Sequence, residues 1–209
     1  MNIRQIESRI LGANCYIIST SDINIIIDPC ISVKELSKYG IDKVDYILLT
    51  HAHFDHILYL QEISDKYNPV IYCHKNAIEK IFNDDYNLSN GFNNPLNIHI
   101  DKNKFVLINN GYDIKVNDYE FQVIYTPGHS SCSVCFIIRK DKIIFTGDTL
   151  FRHSIGRCDL YSGNALSLAN SLKTLAKLDS DYIIYPGHDN PSTMEEELKR
   201  NSLFLQMIK

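Results

Sequence analysis

No excess of basic charge marks this chain. Its 21 lysines and arginines stand against 25 aspartates and glutamates, a formal net charge of −4, so the basic face of a nucleic-acid binder is missing. No apolar run is long enough to span a bilayer. The opening Met1-Asn2-Ile3-Arg4-Gln5-Ile6-Glu7 lacks the apolar core of a secretory signal. Linkers rich in proline, glycine or serine are absent, and so are internal repeats. The 6 cysteines fall at irregular spacings; without a secretory signal, that argues for free thiols in a reducing compartment. These absences lead us to expect a soluble, cytoplasmic protein with no nucleic-acid and no membrane partner.

The remainder is ordinary globular composition, with 44 % hydrophobic and 22 % charged residues over 209 positions, enough for one α/β domain. Short strands alternate with short helices. Asn14 to Ile18 and Ile23 to Ile27 read as a strand pair. Val44 to Thr50 reads as a buried strand and Val70 to Cys73 as another. Ser32 with Glu35, and Thr193 with Glu196, have the spacing that opens helices. Asn76 to Phe82 should be helical, and the Asn-rich stretch from Asn83 to Lys104 an irregular loop. Two hairpins follow, Asp113–Val116 with Tyr119–Thr126 and Ser133–Ile138 with Lys142–Thr146. Ala165 to Leu178 reads as an amphipathic helix capped by Asn164, its apolar stripe running through Leu166, Ala169, Leu172, Leu175, Ala176 and Leu178. Tyr182 to Tyr185 is the last expected strand.

The chemistry concentrates at strand ends. His51, His53, Asp55 and His56 lie within six residues, directly after the Val44–Thr50 run. Imidazole and carboxylate are the ligands zinc and iron favour. In an extended segment residues i and i+2 point the same way, so His51 and His53 can grip one ion together. The helical spacing that begins at Ile57 turns the chain and aims Asp55 and His56 elsewhere. Three further strands end beside a glycine and a potential donor: Pro127-Gly128 before His129, Gly147 before Asp148, and Pro186-Gly187 before His188. One histidine after Pro-Gly is usually a turn residue. Three such ends together with the first cluster point to a shared metal site.

The ordered segments Thr50-His51-Ala52-His53-Phe54-Asp55-His56, Thr126-Pro127-Gly128-His129, Phe145-Thr146-Gly147-Asp148 and Tyr185-Pro186-Gly187-His188 resemble the metallo-β-lactamase-fold hydrolases. The surrounding residues are most similar to short glyoxalase II (hydroxyacylglutathione hydrolase)-like members. These residues include Gly12 to Tyr16, Ile26 to Pro29, Ser154 to Arg157, and Thr193 to Phe204 as a closing helix. The resemblance implies a single domain over residues 1–209, a four-layer αββα sandwich of two mixed β-sheets flanked by helices, without a separate C-terminal substrate-binding domain. It implies two zinc ions per chain, with iron or manganese as alternatives. His51, His53 and His129 would hold one ion, Asp55, His56 and His188 the other, and Asp148 would bridge them. Asp28 matches a position the family places near the ligands. Arg157 matches a basic position near the thiol carrier's carboxylate, although it can equally pair with Asp159.

The implied activity is thioester hydrolysis of a small acyl-thiol by metal-activated water. Asp55 and Asp148 would carry the catalysis, and no serine or cysteine nucleophile is needed. A mononuclear iron persulfide dioxygenase and a lactonase are the alternative readings. Cys132, Tyr161, Ser162 and Asp189 depart from the family pattern near the expected mouth of the site, which bears on substrate identity more than on metal binding. Cys132 and Cys135 read as buried structural thiols, Cys158 as exposed near the site, and His74 and His99 as surface or helix-end residues.

Overall fold

The computed structural model describes residues 2–209. The chain divides into two compact units, one up to Leu107 and one from Ile108.

The first unit is built on a six-stranded mixed sheet. Its elements are β1 (Asn2–Glu7), β2 (Asn14–Ser19), β3 (Asn24–Ile27), α1 (Val33–Lys38), β4 (Tyr46–Leu48), α2 (Leu60–Tyr67), β5 (Val70–His74), α3 (Ile78–Ile81) and β6 (Phe105–Ile108). The strands lie in the order β1-β2-β3-β4-β5-β6. The first three pair antiparallel, with Ile17 opposite Ile26, and β3-β4-β5 pair in parallel, with Ile26 beside Ile47 and Ile47 beside Ile71. Parallel strands need crossovers, and α1 and α2 supply them. Ser32 caps α1 by accepting a hydrogen bond from the Glu35 amide at 3.2 Å, as its spacing predicts. Ile17, Ile18, Ile25, Ile26, Ile47 and Leu48 are almost wholly buried. A strand covered on both faces needs that unbroken apolar run.

The second unit holds β7 (Asp113–Val116), β8 (Tyr119–Tyr125), β9 (Val134–Ile138), β10 (Ile143–Gly147), β11 (Leu150–Phe151), β12 (Ser154–Ile155), α4 (Ala165–Leu175), β13 (Ile183–Pro186), β14 (Ser192–Thr193), α5 (Met194–Arg200) and α6 (Ser202–Met207). Its sheet runs β14-β13-β10-β9-β8-β7, antiparallel except for β10 beside β13. β11 and β12 form a small hairpin of their own. Both expected hairpins are present, with Asn117 and Lys142 in the left-handed conformation at their turns. Leu168, Leu172 and Leu175 of α4 join Ile144, Ile184, Met194 and Phe204 in one core cluster. Burying each such side chain contributes about 1.5–3 kcal/mol.

Several expectations shift. Leu166 is 73 % exposed and Leu168 takes its place on the buried stripe: Asn164 caps α4 through the Ser167 amide, which sets where the first turn begins. The closing helix is two helices, broken at Asn201, whose extended backbone ends α5 while its side chain caps α6. The segment Lys75–Ala77 is a 3₁₀ turn, and only Ile78–Ile81 is α-helical. β1 and β6, strands with polar or exposed faces, carry no clear sequence signal. Among the described residues no helix is long and apolar enough to cross a membrane.

Candidate metal centre

In the first unit all four clustered donors follow β4 on an irregular segment, and all are buried. The His51 and His53 rings meet edge to face, 4.7 Å between centroids, and the His51 and His56 rings lie 4.2 Å apart. His56 Nε2 stands 3.8 Å from Asp55 Oδ2.

Beneath them sits Asp28, 2 % exposed, at the end of β3. Its Oδ1 accepts from the Thr50 amide at 2.8 Å, and its Oδ2 accepts from the Thr50 hydroxyl at 2.6 Å and from His56 Nδ1 at 2.9 Å. His51 Nδ1 lies 3.1 Å from that same hydroxyl. Thr50 has one hydroxyl proton, and the carboxylate takes it, so the oxygen must accept from His51 Nδ1–H. Asp28 thereby puts the ring protons of His51 and His56 on Nδ1, one through Thr50 and one directly. Both Nε2 atoms keep a lone pair, which is the state a metal ligand requires. Asp28 is expected near the ligands from the family resemblance; Thr50, the middle link, has no signal in the sequence.

In the second unit His129, Asp148 and His188 come together. His129 Nε2 is 3.4 Å from Asp148 Oδ2, and His188 Nε2 is 3.5 Å from the same oxygen. His129 Nδ1 lies 2.8 Å from the Arg157 carbonyl. A carbonyl can only accept, so Nδ1 carries the proton and the Nε2 lone pair faces a carboxylate oxygen. In the neutral ring this sets a lone pair beside a carboxylate oxygen, an arrangement that a shared cation satisfies. The residues therefore fit a metal.

The backbone of this half is tightly constrained. Gly128, at φ 145°, lies against α4 so closely that a Cβ would come within 2.3 Å of Leu168 Cα. The Ser171 hydroxyl donates to the Pro127 carbonyl at 2.7 Å, and the Asn164 amide to the Gly128 carbonyl at 2.8 Å. At Gly156 a Cβ would sit 1.8 Å from the Asp148 carbonyl oxygen and 3.2 Å from His129 Cβ. The segment after Asp148 is thus pressed against both donors. Neither the Arg157 carbonyl nor the need for glycine at 156 was read from the sequence.

Arg157 itself forks onto Asp159, both contacts at 2.7 Å and both side chains exposed. That pairing holds the Asp159 carboxyl down at about 2. The Asn-rich stretch is irregular, as expected, and is held by its own hydrogen bonds. Asp84 Oδ1 accepts from the Ser89 hydroxyl at 2.8 Å and the Leu96 amide at 3.0 Å, while the Asn87 carbonyl accepts from the Phe54 amide at 2.9 Å. His74 is buried and caps the Lys75–Ala77 turn, and burial pushes its imidazole down to about 4. His99 is exposed, as expected, and His153 pairs with Glu196 at 2.9 Å. Cys132 and Cys135 are buried thiols, as expected; Cys158 is half-buried against the α4 core, less exposed than expected.

Residues 9–188 match the family model of the metallo-β-lactamase superfamily, and the chain belongs to that superfamily. The class is that of metal-dependent hydrolases, and the fold is the expected α/β arrangement of mixed sheets flanked by helices. Among curated proteins, a "probable metallo-hydrolase" of Streptococcus pyogenes serotype M6 is 32 % identical over 216 residues, covering 98 % of this chain and 90 % of that one. Hydroxyacylglutathione hydrolase GloC of Haemophilus influenzae is 30 % identical over 211 residues, covering 98 % of each. Among solved structures, the B3 metallo-β-lactamase BLEG-1 matches with a TM-score of 0.88 at 28 % identity, covering 97 % of this chain and 99 % of that one. A protein crystallised in a di-iron-bound form matches with a TM-score of 0.84 at 26 % identity, covering 96 % and 99 %.

Proposed function

We propose that the two donor sets act as one domain and hold a pair of metal ions, zinc first and iron as the alternative, in a hydrolase that cleaves a small acyl-thiol. His51, His53 and His129 would take one ion; Asp55, His56 and His188 the other; Asp148 would serve both. The observation that carries this reading is the set of histidines whose Nδ1 protons are fixed by Asp28 and the Arg157 carbonyl, which in the neutral ring puts the lone pair a metal needs on Nε2. Membership of the superfamily over both halves supports the joining of the sets. The likeness to a hydroxyacylglutathione hydrolase supports a thioester as substrate.

Bound there, such ions polarise a carbonyl and bring the pKa of water from 15.7 towards about 7. The chain's own residues do the rest. Asp28 and Thr50 hold two imidazoles in the ligating tautomer. Asp148 Oδ2 lies within 3.5 Å of both His129 and His188, a placement suited to bridging. Asp55 orients the attacking water and accepts its proton. Arg157 receives an anionic group of the thiol carrier by exchanging it for Asp159; the pair is solvent-exposed, and such pairs are weak.

The test is to purify the protein, quantify zinc and iron, and screen thioesters, lactones and persulfides in parallel. About two metal ions per chain and thioester turnover that disappears in His53→Ala are expected. One iron per chain with oxygen uptake on persulfides would replace this reading with an iron dioxygenase, and lactone turnover alone would replace it with a lactonase.

A further inference from the structure

Glu197 is fully buried in α5, and no step of the proposed hydrolysis uses it. Its Oε2 accepts from the His153 amide and from Asn201 Nδ2, each at 2.8 Å, and its Oε1 accepts from the Ser192 hydroxyl. Asn201, also fully buried, donates in turn to the Ser154 carbonyl at 2.9 Å and the Phe151 carbonyl at 3.5 Å. These bonds grip both strands and the turn of the β11–β12 hairpin, where His153 adopts a left-handed φ of 59°. All three donors to Glu197 are neutral, and a buried carboxyl is costly where nothing needs its several acceptor sites.

The gripped hairpin runs straight into the site. Two residues beyond Ser154, Gly156 leaves no room for a Cβ against the Asp148 carbonyl, and its amide bonds the Thr149 carbonyl at 3.3 Å. The next residue, Arg157, presents the carbonyl that holds His129 Nδ1. We propose that Glu197 and Asn201 are positioning residues for His129: by clamping the 151–154 hairpin they set the Arg157 carbonyl, and through it the proton position and orientation of the His129 ring. The metal consequence rests on the reading of His129 as a ligand; the ring geometry does not.

The test reads the ring directly. Nitrogen-15 correlation spectra of imidazoles in the metal-free full-length protein distinguish Nδ1–H from Nε2–H. Wild type and Glu197→Gln are expected to show His129 in the Nδ1–H form, since glutamine keeps an acceptor for His153 and Asn201 while its amide can donate to Ser192. Asn201→Ser retains an oxygen to cap α6 but removes the donor to the hairpin; it is expected to mix the two tautomers. Zinc affinity, measured by chelator competition, should fall at least about tenfold. Leu175→Ala, a core change on α4, should lower the melting temperature without moving the tautomer. An unchanged Nδ1–H signal in folded Asn201→Ser overturns the proposal, and so does an equal tautomer shift in Leu175→Ala. Should Asn201→Ser not fold, Glu197→Ala, which removes the acceptors for the His153 amide and Asn201, takes its place: a mixed tautomer supports the proposal, and a retained Nδ1–H overturns it. Wild-type zinc binding by His129→Ala would instead remove the ligand assignment and leave the ring result to judge the clamp.

Discussion

Replacing Asp28 with asparagine separates the carboxylate's role from its volume. Asp28 adopts a left-handed backbone at φ 56°, which asparagine also tolerates, so the chain need not move. Three donors reach the carboxylate, at 2.8, 2.6 and 2.9 Å, and an amide offers one oxygen. With that oxygen kept on the Thr50 amide, the new NH₂ faces the Thr50 hydroxyl and His56 Nδ1. The hydroxyl can rotate, but the imidazole accepts only by moving its proton to Nε2, where it blocks a metal. Hydrogen bonds to charged groups are worth about 1.5–3 kcal/mol each, so losing two costs about 3–6 kcal/mol before relaxation. Outer contacts of this kind change metal affinity about 10–100-fold. Thermal melts of the metal-free protein and chelator competition with zinc measure the two effects separately. A variant that melts within about 1 °C of wild type, where a loss of this size predicts several degrees, and binds zinc equally well would refute the hub.

Four further outcomes follow from packing and ionisation. Gly156→Ala forces a Cβ to within 1.8 Å of the Asp148 carbonyl oxygen, and should lower stability by about 3 kcal/mol or more, read by denaturant unfolding. Leu168→Ala should cost about 2–5 kcal/mol while Leu166→Ala stays within about 0.5 kcal/mol, and equal effects would contradict the burial of α4. His74, held at about 4 against an ordinary 6.5, is protonated only in the unfolded chain between those values. Stability is therefore lost as pH falls through that window, by at most about 3 kcal/mol. His74→Asn keeps a capping acceptor and should flatten that slope in melts of the metal-free protein. Burial pushes the Cys135 thiol up to about 12 and raises Cys30 as well, whereas Cys158 is the one cysteine not fully buried. An aromatic disulfide reagent should thus label one thiol quickly in the native protein, and Cys158→Ser should abolish that phase.

Much of the architecture could be read from local chemistry. The strands that carry donors are apolar runs ending in glycine or a polar turn, and the caps at Ser32, Asn164 and Thr193 announce themselves by spacing. Of the seven candidate ligands, His51, His53, Asp55 and His56 stand out because metal-binding residue types are rare side by side, and His129, Asp148 and His188 because each follows an apolar strand and a glycine. The parts that stayed hidden depend on tertiary placement. Asp28 and Thr50 stand 22 residues apart, and their link appears only when β3 and β4 pair in parallel. The Arg157 contribution is a main-chain carbonyl, which no residue type encodes. β1 escaped notice because its residues are mostly half-exposed, with none of the clean alternation of a one-sided strand.

The stretch after Asn83 has one more implication. It reads as a tolerant surface loop, the natural place to vary when new substrates are sought. Yet Asn87 is fully buried and its carbonyl anchors the Phe54 amide, between two of the clustered histidines, while the Phe54 and Phe92 rings pack at a tilt with centroids 4.7 Å apart. Randomised libraries directed at residues 84–92 would therefore disturb ion retention along with selectivity. Diversification by insertion is freer at the exposed tips near Asn94 and Asn103, which carry no such tether to the ligand segment.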